Sequence, residues 1–432
     1  MERQYDLFAL DRLVADIAAK LESVPNGLPR EASSKATYDD LSELRGDPLA
    51  DGLRSWVGHL TVLRVTAADA RRVASTRDAP DHLAPSDGPR VSVRDLAREV
   101  AGVPADFERW VTCLADAAPA ARDAVVVLAE RRVEATRRLG IADLGEVEHP
   151  PFTRAEVDEA ASTALGVTDE VFAAEVGEGD ARRSFEIALA RDAGEGWPAH
   201  LTERWVQSLF RGPLTEGLTL SLGDLPRPLG ASSFARALGR FGMALGRADM
   251  GRSQPMALLR GPEDPLHHAR AALFAKLTFE PAFHRRKLGL DPPRARAEAR
   301  RVGRAGLAWC RLSAARALTW RALSEATPWP DRVGTASDLF LRASGAPLDR
   351  GLVGVLPLPS PSAGASFAGM LHAFATSVSL REQFDEDWFD NPRALESLRH
   401  EHHATTLARG YGKESLAAGS AAFAKWARDA FT

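Results

Sequence analysis

Two arginines stand four residues apart in a stretch whose apolar residues repeat with the period of an α-helix. At about 100° per residue, Leu238 and Phe241 fall within about 40° of Phe234 and form one apolar stripe. Arg236 and Arg240 fall on the opposite side, where residues four apart are neighbours. Taken alone, this pattern favours a buried helix with an arginine-lined outer face. If the pair lies in a cleft, it suits the binding of a carboxylate, because planar guanidinium groups pair bidentately with carboxylates.

Histidines that are candidates for metal binding occur in two groups. His267 and His268 are adjacent and His284 follows sixteen residues later, a spacing that matches no common zinc pattern. Residues 400–403 read HEHH, but an HExxH motif requires a second histidine at position 404, which is Ala404. Ordinary histidines on partly exposed helix faces explain both groups better. We therefore predict no metal and no cofactor.

Neither a nucleophile nor a nucleic-acid surface is indicated. Cys310 lies between Trp309 and Arg311 in a helical pattern that predicts a packed side chain, and no GxSxG elbow occurs. The many arginines of residues 285–321 spread around most of a helix rather than along one face. That distribution favours solvated or salt-bridged side chains over contacts with phosphates.

The helix that carries the two arginines has a second feature, its order of small and apolar residues. Residues 233–245 read SFARALGRFGMAL. This run resembles the active-site helix of thimet-oligopeptidase-like gluzincins, a family of helical zinc peptidases, in which HExGH is followed by small and apolar residues. Gly239 and the apolar frame match that pattern. Arg236, Ala237 and Arg240 occupy the positions of the first histidine, the glutamate and the second histidine.

A second resemblance lies downstream. In these gluzincins a later helix of the form E-A-x-A-x-L-F supplies the third zinc ligand. Residues 268–274 read HARAALF, with His268 at the ligand position, and residues 381–399 resemble the C-terminal helical region of related proteins. The resemblance covers about the last half of the chain. It implies a gluzincin-like helical fold in which Arg236, Arg240 and His268 converge on a cleft.

The departures from the motif decide what chemistry the resemblance allows. Arg236 and Arg240 cannot bind a metal, because a guanidinium stays protonated and offers no lone pair. At about 5 Å and an effective dielectric of about 20, one guanidinium repels a divalent ion by roughly 6–7 kcal/mol. Ala237 cannot serve as general base. The resemblance therefore implies a pseudoenzyme with degenerate active-site positions at Arg236, Ala237, Arg240 and His268.

The elements that position these residues are predicted to be helices, since Ala, Leu, Arg and Glu dominate and alternating β-branched runs are scarce. We predict an all-α fold with at most a very small β element. Amphipathic stretches that predict helices recur at residues 5–23, 47–66, 119–139, 199–211, 232–248, 264–278, 292–325, 363–384, 392–409 and 412–430.

The segments between these helices carry turn-forming residues. Residues 24–46 and 77–92 are rich in Pro, Gly, Ser and Asp and are predicted to be loops. Residues 216–222 are the best candidate for a short strand, because leucine alternates there with threonine and serine.

One connection divides the chain. Residues 140–152 read as a linker, and Thr153 followed by Glu156 is a capping-box pattern that starts a new helix. We predict a helical N-terminal module over residues 1–150 and a gluzincin-like helical body over residues 151–432.

Composition limits the classes of function. The net charge of −4 is small for 432 residues and gives no general attraction to nucleic acid or anionic membranes. Two distant cysteines, Cys113 and Cys310, favour a reducing compartment. The N-terminus lacks the pattern of a signal peptide, and no run of about 18 apolar residues occurs. We therefore expect a soluble, cytoplasmic protein.

Taken together, these patterns favour a catalytically inactive, metallopeptidase-like scaffold that binds a peptide or protein partner. An active metal-dependent hydrolase with a non-standard site is the first alternative. A structural helical protein unrelated to peptidases is the second.

Overall fold

The fold is described from a computed structural model of the chain. The structure describes residues 6–21, 27–86, 88–150, 152–177, 179–190, 196–210, 218–223, 225, 229–248, 254–347, 349–356, 359–404 and 413–431. Within helices, the side chains of residues 181, 189, 246–248, 399–404 and 413–414 lie outside this description.

Helices fill most of the first third of the chain, and polar caps mark several of their starts. Asp6 and Asp47 accept hydrogen bonds from the first backbone N–H groups of the helices that follow them. The helices of this part are α1 (Leu7–Ala18), α2 (Lys35–Glu43), α3 (Pro48–Val65), α4 (Ala67–Asp78), α5 (Val93–Ala101) and α6 (Phe107–Arg138). Helix α2 corrects the prediction of a loop over residues 24–46, because Ser34 caps it locally.

The small sheet lies at a different place from the predicted strand. Strand β1 (His82–Leu83) pairs antiparallel with β2 (Arg90–Val91), inside the predicted loop over residues 77–92. In the predicted strand, residues 218–222 keep alternating burial but form no strand. A strand requires a partner for its backbone, and among the described residues none pairs with this segment. Residues 216 and 217 lie outside the described ranges.

The remainder of the chain is also helical. The capping box predicted at Thr153 and Glu156 is present and starts α8. The helices of this part are α7 (Gly145–Glu148), α8 (Arg154–Gly166), α9 (Asp169–Glu175), α10 (Ala181–Leu189), α11 (Glu203–Leu209), α12 (Ala231–Ala248), α13 (Met256–Leu259), α14 (Pro265–Lys276), α15 (Pro281–Leu288), α16 (Pro292–Ser324), α17 (Trp329–Ser344), α18 (Ala363–Phe384), α19 (Pro392–Ala404) and α20 (Lys413–Asp429). Short 3₁₀ turns occur at Arg30–Ala32, Leu277–Phe279, Arg350–Leu352 and Trp388–Asp390.

The all-α prediction is confirmed by this architecture. Within the described residues, no helix combines the length and the apolar character needed to cross a membrane.

The apolar core includes residues from both sides of residue 150. One cluster joins residues of α5 and α6 to residues of α16 and α17, among them Phe107 and Trp320. Elsewhere the Asp11 carboxylate accepts hydrogen bonds from the backbone N–H groups of Met256 (2.9 Å) and Ala257 (2.8 Å), which ties α1 to α13. The division of the chain near residue 150 stays a prediction.

Helix α14 packs closely between α12 and α18, because glycines remove the side chains at both contacts. A Cβ atom on Gly242 of α12 would lie 2.2 Å from the carbonyl oxygen of Arg270. A Cβ atom on Gly369 of α18 would lie 2.4 Å from the carbonyl oxygen of Pro265. Both distances are far below van der Waals contact, so only glycine fits without displacing a helix. This close packing fixes the spacing between α12 and α14.

A group of charged side chains and one tryptophan, mostly buried apart from the exposed Arg321, holds α7, α8 and α16 together. Its members are Glu148, Arg154, Asp158, Trp320 and Arg321, hereafter the Glu148 cluster. The Glu148 carboxylate accepts hydrogen bonds from Arg154 Nη1 at 3.1 Å and from Trp320 Nε1 at 2.8 Å. Arg321 Nη1 donates to the Asp158 carboxylate at 3.2 Å. Each carboxylate of the cluster therefore contacts an arginine.

Candidate functional site

A cavity of about 820 Å³ opens beside the contact of α12 with α14, hereafter the α12–α14 cavity. Its volume falls within the range of small-molecule and peptide side-chain sites. The residues that line it come mainly from α12, α14, α16 and α18. They are Ala101, Phe185, Ala188, Ser232, Ala235, Arg236, Gly239, Arg240, Met243, His268, Ala271, Ala272, Ala275, Lys276, Phe279, Trp309, Cys310, Ser313, Ser366, Met370 and Phe374.

The structure places three of the four predicted site residues in the lining of this cavity. Arg236 and Arg240 lie one turn apart on α12 and are exposed, and His268 faces them from α14. Ala237 is fully buried and packs in an apolar cluster with Phe241, outside the cavity lining. The position that the resemblance assigns to the general base therefore lies away from the cavity.

His268 is uncharged at neutral pH. Burial lowers the pKa of its imidazole to about 4, because the charged form loses its hydration there. The guanidinium groups of Arg236 and Arg240 provide the positive charge among the exposed residues of the lining.

The cavity lining contains no aspartate or glutamate, counted over the residues that the structure describes. The Lys276 side chain also lines the cavity, but other side chains of the protein already contact its ammonium group. Its ammonium group contacts the buried Glu280 carboxylate, and it donates to Ser377 Oγ at 3.1 Å. Arg381 contacts the same carboxylate. The described part of the lining thus contains basic side chains and apolar surface but no carboxylate.

These residues do not fit the zinc ion that the gluzincin resemblance implies. A catalytic zinc needs three protein ligands and an open position for water. In the cavity lining, His268 and Cys310 are the side chains with a possible ligating atom, and burial raises the pKa of the Cys310 thiol to about 12. Among the described residues, no group of three or more His, Cys, Asp or Glu is placed to hold a metal ion.

The other histidine candidates have different surroundings. His267 stacks edge-on beside His268, with ring centroids 6.2 Å apart, but does not line the cavity. His284 is buried on α15, where its Nε2 lies 2.8 Å from the carbonyl oxygen of Thr278. The side chains of residues 400–403 lie outside the described part of the chain.

The arginine-rich helix α16 forms ion pairs with neighbouring helices. Arg300 and Arg304 both contact the Glu175 carboxylate, at 2.7 Å and 3.1 Å. Arg311 is buried and pairs with Asp169 at 2.7 Å. These ion pairs join α16 to α9, as expected for arginines that form salt bridges between packed helices.

Comparison with known proteins finds a relationship of fold and none of sequence. No protein-family model and no curated protein matches the chain. Among solved structures, PZ peptidase A with an inhibitor superposes with a TM-score of 0.58 and 10% identity, over 98% of this chain and 86% of that one. The chain has the fold of a helical gluzincin-type metallopeptidase. A putative oligoendopeptidase F from Bacillus anthracis strain Ames matches with a TM-score of 0.55 and 10% identity, over 99% of this chain and 84% of that one.

The gluzincin-type fold was predicted from residues 233–245 and 268–274, and that prediction is confirmed. The inner wall of the cavity was not predicted. It includes Lys276, Cys310 and Phe374, which come from three different helices. A signal for the α14 part existed, because positions 268, 271, 272, 275 and 276 share one helix face and three of them are alanines. The contributions of α16 and α18 depend on tertiary packing, which no local pattern encodes.

Proposed function

We propose that this protein is a catalytically inactive member of the gluzincin-type fold that binds a peptide or a segment of a partner protein in the α12–α14 cavity. One observation carries the proposal. Arg236, Arg240 and His268 all line the cavity, as the resemblance to zinc peptidases implies, yet its described lining includes neither a set of metal ligands nor a carboxylate.

Catalysis is disfavoured by the chemistry of the side chains. Peptide hydrolysis in this fold requires an activated water molecule, and hence a metal or a general base beside the peptide. His268 has a low pKa and is a weak base, and Ala237 has no ionisable group. Binding needs only a shaped cavity and complementary charge, and both are properties of the lining.

The test is to identify peptides that the protein retains and to ask whether they are intact. The protein, with and without added zinc, is incubated with a defined peptide mixture, separated by gel filtration, and its bound fraction analysed by mass spectrometry. We expect intact bound peptides under both conditions. Replacing both arginines (Arg236→Ala with Arg240→Ala) removes the bound fraction.

The matched control is Arg296→Ala. Arg296 is exposed on α16 and does not line the cavity, so its loss changes helical surface charge without touching the site. Cleavage products that depend on zinc would overturn the inactive assignment in favour of an active hydrolase. No retained peptide, or equal retention by the double variant, would overturn peptide binding in this cavity.

A further inference from the structure

The inner wall of the α12–α14 cavity is aromatic. Phe279, Trp309 and Phe374 line it from the turn after α14, from α16 and from α18. The rings of Phe279 and Trp309 lie 5.9 Å apart between centroids and are tilted by 45°. Trp426 of α20 lies 5.5 Å from Phe279 and 5.2 Å from Phe374 between ring centroids. These separations are those of attractive ring pairs, so the wall belongs to one connected aromatic cluster.

The polar groups of Trp309 and Lys276, which both line the cavity, have partners within the protein. Trp309 Nε1 donates a hydrogen bond to the carbonyl oxygen of Ala188 at 2.6 Å. The Lys276 ammonium group contacts the Glu280 carboxylate and lies 5.2 Å from the centre of the Phe374 ring. A ligand therefore does not have to supply an acceptor for Trp309 or a charge for Lys276, and the wall favours an uncharged group.

Small side chains leave room beside the aromatic wall. Ala271, Ala272 and Ala275 lie on the same face of α14 and are half-buried, and their side chains end at Cβ. The opposite face of this helix is different, because Leu273 and Leu277 are buried in an apolar cluster. The space above the three alanines, within a cavity of about 820 Å³, can hold a whole ring.

We infer that the inner wall of the cavity accepts an aromatic side chain of the bound peptide, which packs against Phe279, Trp309 and Phe374. This inference rests on the proposed peptide-binding function and names the chemical class of side chain that the site selects. The residues of the wall belong to elements other than α12, so the selection does not require Arg236 or Arg240.

An aromatic group is favoured over other uncharged groups for two reasons. Burial of any large apolar side chain against the wall removes apolar surface from water, which separates phenylalanine from alanine. A ring also pairs with the rings of the wall, and such pairs add to the effect of burial when their centroids lie about 4.5–7 Å apart. A free small aromatic molecule has the same ring chemistry as a peptide side chain, so the test includes one.

The experiment is a calorimetric titration of the full-length protein with five-residue peptides whose central residue varies and whose other residues are glycine. The peptides are acetylated and amidated, so that their ends carry no charge. The central residue is phenylalanine, alanine or cyclohexylalanine, which has nearly the size of phenylalanine but no aromatic ring. The fourth probe is N-acetylphenylalaninamide, which presents the ring on a single residue.

We expect the phenylalanine peptide to bind about ten- to a hundredfold more tightly than the alanine peptide, because its side chain is buried. It should bind about two- to tenfold more tightly than the cyclohexylalanine peptide, since cyclohexylalanine cannot pair with the rings of the wall. N-acetylphenylalaninamide should bind more weakly than the phenylalanine peptide, because it lacks the flanking backbone.

Two variants test where the ring lies. Ala271→Leu fills the space beside the wall and should remove the preference for phenylalanine over alanine. Its control is Ala297→Leu, which adds the same side chain on the exposed surface of α16 and should keep that preference. Phe374→Leu removes one ring of the wall and should reduce the preference for phenylalanine over cyclohexylalanine. Thermal melting shows whether each variant is folded, and the wild-type titrations decide the inference if Phe374→Leu does not fold.

Each outcome bears on one claim. Equal binding of the phenylalanine and alanine peptides, or an unchanged preference in Ala271→Leu, would overturn the inference while leaving peptide binding intact. Equal binding of the phenylalanine and cyclohexylalanine peptides would overturn selection of an aromatic group. Binding of N-acetylphenylalaninamide as tight as that of the peptide would show a site for small aromatic molecules instead. Binding of none of the probes would also overturn the inference, and the peptide-mixture experiment then decides separately whether the cavity binds other peptides.

Discussion

Two regions of this molecule use arginine in opposite ways. In the Glu148 cluster, Arg154 and Glu148 are almost completely buried, with side chains exposed by 14% and 2%, and they contact each other directly. In the α12–α14 cavity, Arg236 and Arg240 are exposed, and the described lining contains no carboxylate.

We propose that the arginines of the first region hold the fold together and that those of the second contact a ligand. A buried charge is tolerated only when partners replace its hydration. An exposed arginine at a cavity opening has little effect on folding, and its hydrogen-bonding groups can turn toward a ligand. We therefore expect substitutions in the cluster to change stability, and substitutions in the cavity opening to change binding.

The largest effect on stability should come from removing the central carboxylate of the cluster. Glu148→Ala removes one of the two carboxylates that Arg154 contacts, leaving only Asp158 at 3.4 Å, and it leaves Trp320 without its acceptor. Breaking a buried pair in this way costs about 3–5 kcal/mol of unfolding free energy. Chemical denaturation of variant and wild type measures the loss.

The control for this variant is Glu134→Ala. Glu134 also contacts two arginines, Arg131 and Arg138, but at the surface of α6. Surface pairs contribute little, so its denaturation midpoint should stay near that of the wild type. Similar losses for both variants would show that the cluster has no special structural role.

The cluster should also make stability depend on pH. Burial raises the pKa of Glu148 from 4.5 to about 7, although Arg154 opposes the shift. A carboxyl whose pKa is raised by folding stabilises the protein below about pH 4.5, and that contribution is lost as the pH rises through about 7. The wild type should therefore lose stability relative to Glu148→Gln across this window, by a few kcal/mol at most.

Denaturation of both proteins at a series of pH values checks this prediction. Burial raises the pKa of Glu263 to about 7 as well, and because Glu148 adds to that shift, part of the Glu263 titration contributes to the difference with the same sign. A difference in stability that stays constant between about pH 4.5 and about pH 7 would contradict the assigned environment of Glu148.

A smaller effect on stability is expected for a substitution at the contact between α12 and α14, which positions the cavity without lining it. Gly242→Ala adds a methyl group 2.2 Å from the carbonyl oxygen of Arg270 and should force α12 away from α14. Overpacking of this kind costs about 1–3 kcal/mol, and the change in helix spacing should also weaken peptide binding.

Gly334→Ala is the matched comparison, because Gly334 lies within α17 and a Cβ atom there meets nothing within 4 Å. That variant should be neutral or more stable by about 0.5–1 kcal/mol, as alanine favours helix. If Gly242→Ala behaves like Gly334→Ala, close helix approach does not set the geometry of the cavity.

The bounds of the helices that form the site could be predicted from the sequence. The contacts that these helices make with distant parts of the chain could not. The ends of α12 and α14 and the capping box at Thr153 follow from local patterns and are found where predicted. The contact of Glu148 with Trp320 spans 172 residues, and no local pattern encodes it. The strand predicted near 216–222 shows the same limit, because alternation predicts an extended chain but not a partner strand.

The most direct test of the central claim is the zinc content of the purified protein after zinc loading and dialysis, measured by mass spectrometry. The matched variant combines Arg236→His, Arg240→His and His268→Glu, which places three ligands around the α12–α14 cavity. We expect no stoichiometric zinc in the wild type and about one zinc per chain in the folded variant. Stoichiometric zinc in the wild type would contradict the inactive assignment, and a folded variant that takes up none would contradict the gluzincin-like geometry of the cavity.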